Sequence, residues 1–161
     1  AASVVARNPN TPYSTVAKLS KDKSVKVRHG VAQNIHVDLL TTLARDSHKN
    51  VRMAVAQNVH TPPDILVSLA RDKNADVRYR LVINNELPSD ALAIIAHGRS
   101  KVLQQYVVRH KNVSDDTLSF LTKSKSTHIS DMATWALSQR QEEITSDMTI
   151  ESLKRYIRTV L

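Results

Sequence analysis

The 161-residue sequence contains no cysteine and only two glycines, Gly30 and Gly98. Without cysteine there is no disulfide framework, no thiolate metal ligand and no cysteine nucleophile. Two glycines are too few for the tight turns of a β-rich chain. They are also too few for a Walker loop or a GxGxxG fingerprint, and GxSxG is missing as well. Hydrolase and transferase chemistry is therefore remote, and neither enzymatic activity nor a small-molecule substrate is expected. Aromatic residues make up 4% of the chain, so a core has to come from Val, Leu, Ile and Ala. No apolar run approaches ~18 residues and no signal-peptide pattern is visible, which makes a soluble cytoplasmic protein without a membrane role the default. Seven histidines are present, but none falls in HExxH or another metal-site spacing, so neither metal nor cofactor is expected.

What the chain does have is a repeat. Asp-x-x-x-x-Val-Arg-x-x-Val/Leu recurs at Asp22 to Val31, Asp46 to Val55 and Asp72 to Leu81. Aligned on Asn8, Asn34, Asn58 and Asn84, the copies are spaced by 26, 24 and 26 residues. Further steps of 26 reach His110 and Ala136, where the apolar frame persists and the Asn is lost. Each unit has two apolar segments. The first, TPPDILVSLARD from Thr61, places Ile65, Leu66, Leu69 and Ala70 at helical spacing, with Thr61 as N-cap, Pro62 as first helical residue and Asp64 closing a capping-box-like pattern. Similar starts occur at Thr11, Leu87 and Val113, and the copy at Val37 is two residues shorter. The second segment, VRMAVAQN from Val51, has apolar residues four apart and is about two turns long. A helix that short is unstable in water, so each must bury its stripe against neighbouring units.

The phrase NPNTP at Asn8 to Pro12 and the unit VRMAVAQNVHTPPDILVSLARD resemble the leucine-rich repeat variant family, a short relative of HEAT repeats. The likeness runs from Ala1 to about Ala136. It implies an all-α fold, a right-handed α-solenoid alternating α-helices with short α or 3-10 helices, and an Asp–Arg ladder along the superhelix. One arrangement in that family carries a cysteine-ligated iron–sulfur cluster ahead of the repeats, for which this chain has no thiolates. Five to six units are expected over residues 1–136, the first truncated because the chain opens in mid-unit, so a preceding region is expected. Residues 137–161 are read as a capping region of the same domain. There Ile150, Leu153, Ile157 and Val160 form an apolar stripe that covers the last unit or, alternatively, meets a partner.

Arg28, Arg52 and Arg78 each lie six residues after Asp22, Asp46 and Asp72. They are expected to pair with an Asp of their own or an adjacent unit. Asn8, Asn34, Asn58 and Asn84 suit a helix exit, since Asn tolerates the left-handed conformation and bonds nearby backbone. Lys21, Arg45, Arg71, His97 and Lys123 share the position ending the first segment. They complement the helix C-terminus and, stacked, would form a basic stripe. Two columns of the second segment are expected to face outward. One runs His29, Met53, Tyr79, Gln105, Asp131 and the other Gln33, Gln57, Ile83, Arg109, Trp135. Rotation of the short helix would instead bury Ile83 and Trp135.

Charge is uneven: residues 1–80 carry a net +7 and residues 81–161 a net +1, in a chain of pI ≈ 9.9. Two functions remain. A non-catalytic scaffold would bind a protein through a concave face built from Tyr79, Ile83, Arg109, Trp135, Met53 and Gln57, residue types that recur in binding hot spots. Alternatively, the basic N-terminal surface would bind nucleic acid. HEAT-like alkylpurine DNA glycosylases cradle DNA in such a superhelix, although Asp131, Trp135 and Arg109 do not match that family's site residue by residue.

Overall fold

The structure, a computed structural model, describes residues 1–160; Leu161 and the side chain of Val160 lie outside the description. The described residues form eleven α-helices and no strand. Packing divides the chain into two compact units, residues 1–113 and 114–161.

In the first unit the helices are α1 (Ala2–Arg7), α2 (Tyr13–Leu19), α3 (Val25–Ala32), α4 (Val37–Leu43), α5 (Lys49–Gln57), α6 (Pro63–Leu69), α7 (Ala75–Val82), α8 (Ser89–Ala96) and α9 (Lys101–Arg109). The even-numbered helices are the first segments of the repeat and the odd-numbered ones the second. The second helices α3, α5, α7 and α9 are each buried through a pair of residues four apart: Val27 and Val31, Val51 and Val55, Val77 and Leu81, Leu103 and Val107. That spacing puts both on one face, and the faces meet in sequence: α1 packs on α3, α3 on α5, α5 on α7 and α7 on α9. First helices contribute Leu40 and Leu43, Leu66 and Leu69, Leu92 and Ile95 to the same core. Aliphatic side chains thus fill a core that has almost no aromatics. Gly30 permits a close approach: a Cβ there would stand 2.7 Å from the Ser3 carbonyl oxygen of α1.

The helix starts differ from expectation by one residue. Pro62 is the extended N-cap and Pro63 the first helical residue of α6, with no side-chain cap. Thr61 is buried, and its hydroxyl donates to the Val55 carbonyl at 2.6 Å. Thr11 does the same to Val5 at 2.6 Å. The last carbonyls of a helix lack intrahelical donors, and a threonine six residues on supplies one. Side-chain caps occur instead at His48, Asn74, Ser100 and Ser114.

The second unit holds α10 (Asp115–Leu121) and α11 (Thr127–Val160). Leu118 and Leu121 of α10, with Ile129 and Ala133 of α11, are buried where the two pack. Neither Gly nor Pro interrupts the sequence of α11, so it runs unbroken for 34 residues, ~50 Å at the usual rise. The expected division at residue 136 therefore has no counterpart in the helices. Residues 141–159 are all exposed. Ile150, Leu153 and Ile157, expected to cover the last unit, remain 48 to 57% accessible because the helix does not turn back.

Candidate binding surface

The Asp and Arg columns resolve into a ladder between units. Arg28 bonds Asp46 of the next unit through Nε at 2.7 Å and Nη2 at 3.1 Å, and Arg52 bonds Asp72 at the same two distances. The remaining guanidinium nitrogen turns back to its own unit, Arg28 Nη1 to the Asp22 carbonyl and Arg52 Nη1 to the Asp46 carbonyl, each at 2.8 Å. The carboxylate pair is thus made with the Asp of the following unit, while the Asp of the same unit offers only its backbone carbonyl. Burial pushes the Asp46 and Asp72 carboxyls up, but the Arg28 and Arg52 guanidiniums and a backbone N–H outweigh it and hold both below the usual range. Arg78 has Gly98 where the next Asp would stand, and it keeps the bond to the Asp72 carbonyl.

The asparagines do more than end helices. Asn34 Nδ2 donates to the Ala6 and Asn8 carbonyls at 2.7 and 3.1 Å, and Asn58 Nδ2 to those of Ala32 and Asn34 at 2.9 and 2.8 Å. Asn84 Nδ2 donates to Ala56 at 2.8 Å. Their side-chain oxygens accept from the following loop, as His60 N–H to Asn58 and Glu86 N–H to Asn84 show. The left-handed conformation is not used: Asn8 and Asn58 are extended, and no described non-glycine residue has positive φ. His110 extends the column, with Nε2 2.9 Å from the Asn84 carbonyl and Nδ1 accepting from Asn112 N–H at 3.1 Å. A donor and an acceptor on one planar group are what this position requires.

With these columns committed to structure, the outward ones are left on the surface. Tyr79, Gln57, Ile83 and Arg109 are exposed, and Met53 and His29 are half-buried. Rotation does not hide the apolar members: Ile83 is 39% accessible and Trp135, in the second unit, 66%. The structure adds Tyr106, which neither column contains. Its ring meets that of Tyr79 edge to face at 5.4 Å, with the hydroxyls 3.3 Å apart. That hydrogen bond, then the charge of Tyr79, holds the Tyr106 phenol above its usual range. The two tyrosines are 27 residues apart, one more than the repeat, so a register of 26 selects Gln105 and passes over Tyr106.

Lys21, Arg45, Arg71 and His97 are exposed beyond the ends of α2, α4, α6 and α8, and Lys123 is exposed beyond α10 of the second unit. His97 Nδ1 lies 2.7 Å from the Ala93 carbonyl of its own helix, in keeping with a role at the C-terminus. His36 and His60 are not gathered into a site: His36 packs edge-on against Tyr13 at 5.2 Å, and His60 is exposed. Among the described residues no group of three His, Cys, Asp or Glu is placed to hold a metal ion, and no helix is long and apolar enough to cross a membrane.

Three open grooves lie in the first unit. One of about 530 Å³ is lined by Ser3 and Arg7 of α1, Val25, Lys26, His29 and Gly30 of α3, Gln33, and His48 and Asn50 at the start of α5. A second, about 290 Å³, runs from Gln33 and Ile35 to Gln57 and Val59, and a third, about 320 Å³, from Gln57 and Val59 to Arg80, Ile83 and Glu86. Burial, then the charge of Arg7, pushes the His29 imidazole below its usual range. Arg7 stands one step of 26 before Gln33, a place to which the second column was not extended, whereas Lys26, Val59 and Arg80 lie outside both outward registers.

No protein-family model, curated protein or solved structure matches the chain.

Proposed function

We propose that this chain is a non-catalytic scaffold that binds another protein through its second helices, its units stacked as a right-handed α-solenoid similar to leucine-rich repeat variant proteins. The solenoid reading is supported by the order in which second helices pack, each on its sequence neighbour, and by the Arg and Asn ladders that bind unit to unit. In this reading closely stacked second helices form the inner side of the curve, and their outward row lines its concave face. The observation that carries protein binding is the exposed Tyr79–Tyr106 pair with Ile83 close by in sequence. Aromatic and aliphatic side chains of this kind anchor protein interfaces; Arg109, Met53 and Gln57 belong to the same outward columns, and Trp135 is an exposed aromatic of the second unit. Catalysis has no part in this role, since the recurring Asp, Arg and Asn are tied into ladders and backbone bonds.

The test is a photo-crosslinking amino acid placed at Ile83 and, separately, at Ser68 on a first helix. A discrete protein adduct from position 83, weakened by Tyr79→Ala and absent from position 68, is expected. Equal labelling from both positions, or none from position 83, removes the assignment.

A second reading rests on the net +7 of residues 1–80 and on exposed Lys21, Arg45 and Arg71. In it these cations contact nucleic-acid phosphates. Anisotropy with labelled DNA and RNA then shows a steep salt dependence that weakens when the three are neutralised, whereas salt-insensitive binding rejects phosphate contact.

A further inference from the structure

We infer that the three grooves of residues 1–113 form one track for an extended peptide segment that is acidic at the Arg7 and Lys26 end and aliphatic at the Ile83 end. This rests on the protein-binding reading above and specifies the chemistry of the partner. Continuity comes from shared walls: Gln33 lines the first and second grooves, and Gln57 and Val59 line the second and third.

The charge along the track is graded. Arg7 and Lys26 line the first groove and no carboxylate does. The second contains no Lys, Arg, Asp or Glu, and in the third Arg80 is offset by Glu86. A ligand with negative charge at one end matches this gradient. A nucleic-acid backbone, charged at every residue, is matched only in the first groove. No Phe, Tyr or Trp lines any of the three, so the stacking platform that single strands use is missing. A peptide finds what it needs. Gln33 and Gln57, one per unit and both exposed, each offer an amide donor and an acceptor to backbone groups. Ile35, Val59 and Ile83 are exposed apolar walls of the second and third grooves that can cover aliphatic side chains. With neighbouring helices ~9 Å apart and an extended chain rising ~3.3 Å per residue, each groove spans about three residues and the track about nine.

The test uses the full chain and fluorescein-labelled peptides of about nine residues, glutamate-rich at one end and Leu/Val-rich at the other, in both orders. A lysine-for-glutamate counterpart and an oligouridylate of similar length complete the set. One order of the acidic peptide is expected to bind, to weaken about tenfold or more in Arg7→Glu/Lys26→Glu and about fivefold in Ile83→Ser, and to be unaffected by Lys125→Glu in the second unit. Unchanged melting temperatures establish that the exposed substitutions leave the fold intact. Failure of both peptide orders, equal binding of the lysine peptide, or preference for oligouridylate overturns the track. The two levels separate through the crosslink at position 83. If the adduct forms and survives Arg7→Glu/Lys26→Glu, the scaffold stands and the track falls; if no adduct forms even in the wild-type background, the scaffold itself falls.

Discussion

Arg28 and Arg52 each do two things, whereas Gln104 and Ser130, two and three units beyond Arg52 in the same register, do only one. The arginines hold loop carbonyls of their own unit and a carboxylate of the next. Gln104 donates to the Ala96 and Gly98 carbonyls, both at 2.9 Å, and Ser130 donates to the Thr122 carbonyl at 2.6 Å. The carbonyl bond is common to all of them, while the ion pair occurs only where an Asp follows in the next unit. What the register demands is thus a donor for the carbonyls left at the end of the first helix. The ladder is an addition made where Arg is long enough to reach further, and it ends at Arg78, whose partner position in the next unit is Gly98.

The largest effect follows from deleting the double function. Arg52→Ala strands a buried Asp72 carboxylate and unsatisfied loop carbonyls, with an expected loss of about 3 to 5 kcal/mol in urea unfolding. A loss below about 1 kcal/mol would mean that the two regions do not differ energetically. Converting this position toward the downstream pattern is gentler. Arg52→Gln with Asp72→Asn keeps a carbonyl donor and removes the charge, so the pair is expected to cost about 1 kcal/mol, well under Arg52→Ala alone. Equal losses in the two variants would show that the ion pair, and not the carbonyl bond, dominates.

Acid sharpens the same contrast. The folded-state pKa values of Asp46 and Asp72 lie below the ordinary one, so the unfolded chain binds protons first as pH falls. Their stabilisation is complete above the ordinary aspartate pKa of about 4 and is lost as pH drops through the lower folded values. Melting temperature is therefore expected to fall between about pH 5 and 2, and less steeply in Arg52→Gln/Asp72→Asn. An identical acid slope in both proteins counts against the ladder as its source. The smallest change is Ser130→Ala, which removes a single hydroxyl bond and is expected to cost about 0.5 kcal/mol by chemical denaturation. A loss as large as that of Arg52→Ala would make the downstream register as demanding as the upstream one.

Much of the helical pattern was legible because it is local. Valines four apart, as at Val51 and Val55, mark a buried helical face without reference to anything else in the chain. Other features were legible only as alternatives. The Asp–Arg spacing allowed pairing within or between units; the ion pairs form between units, and the donor left over on each fork bonds a backbone carbonyl within its own. Asn58 was read as a helix exit, yet it joins Ala32 and Asn34 of the preceding unit. The available signal was the replacement of Asn by His110 at the same period, since the two share little except a donor and an acceptor on one plane. Within the surface, Tyr79 and Ile83 were found from their register. Tyr106 and Lys26 were not, because they stand off the two columns, and Arg7 was passed over although it precedes Gln33 by one full period.

By itself the sequence determined the helices, their period and the aliphatic faces they must bury, since these depend on neighbours within about two turns. Only the tertiary structure decided that Arg52 reaches forward by 20 residues to Asp72 while Asn58 reaches back by 26 to Ala32, and that Gln33 and Gln57 join separate grooves. Those outcomes turn on the stagger of one helix pair against the next, which buried side-chain packing sets at a resolution that a repeating string of residues does not encode.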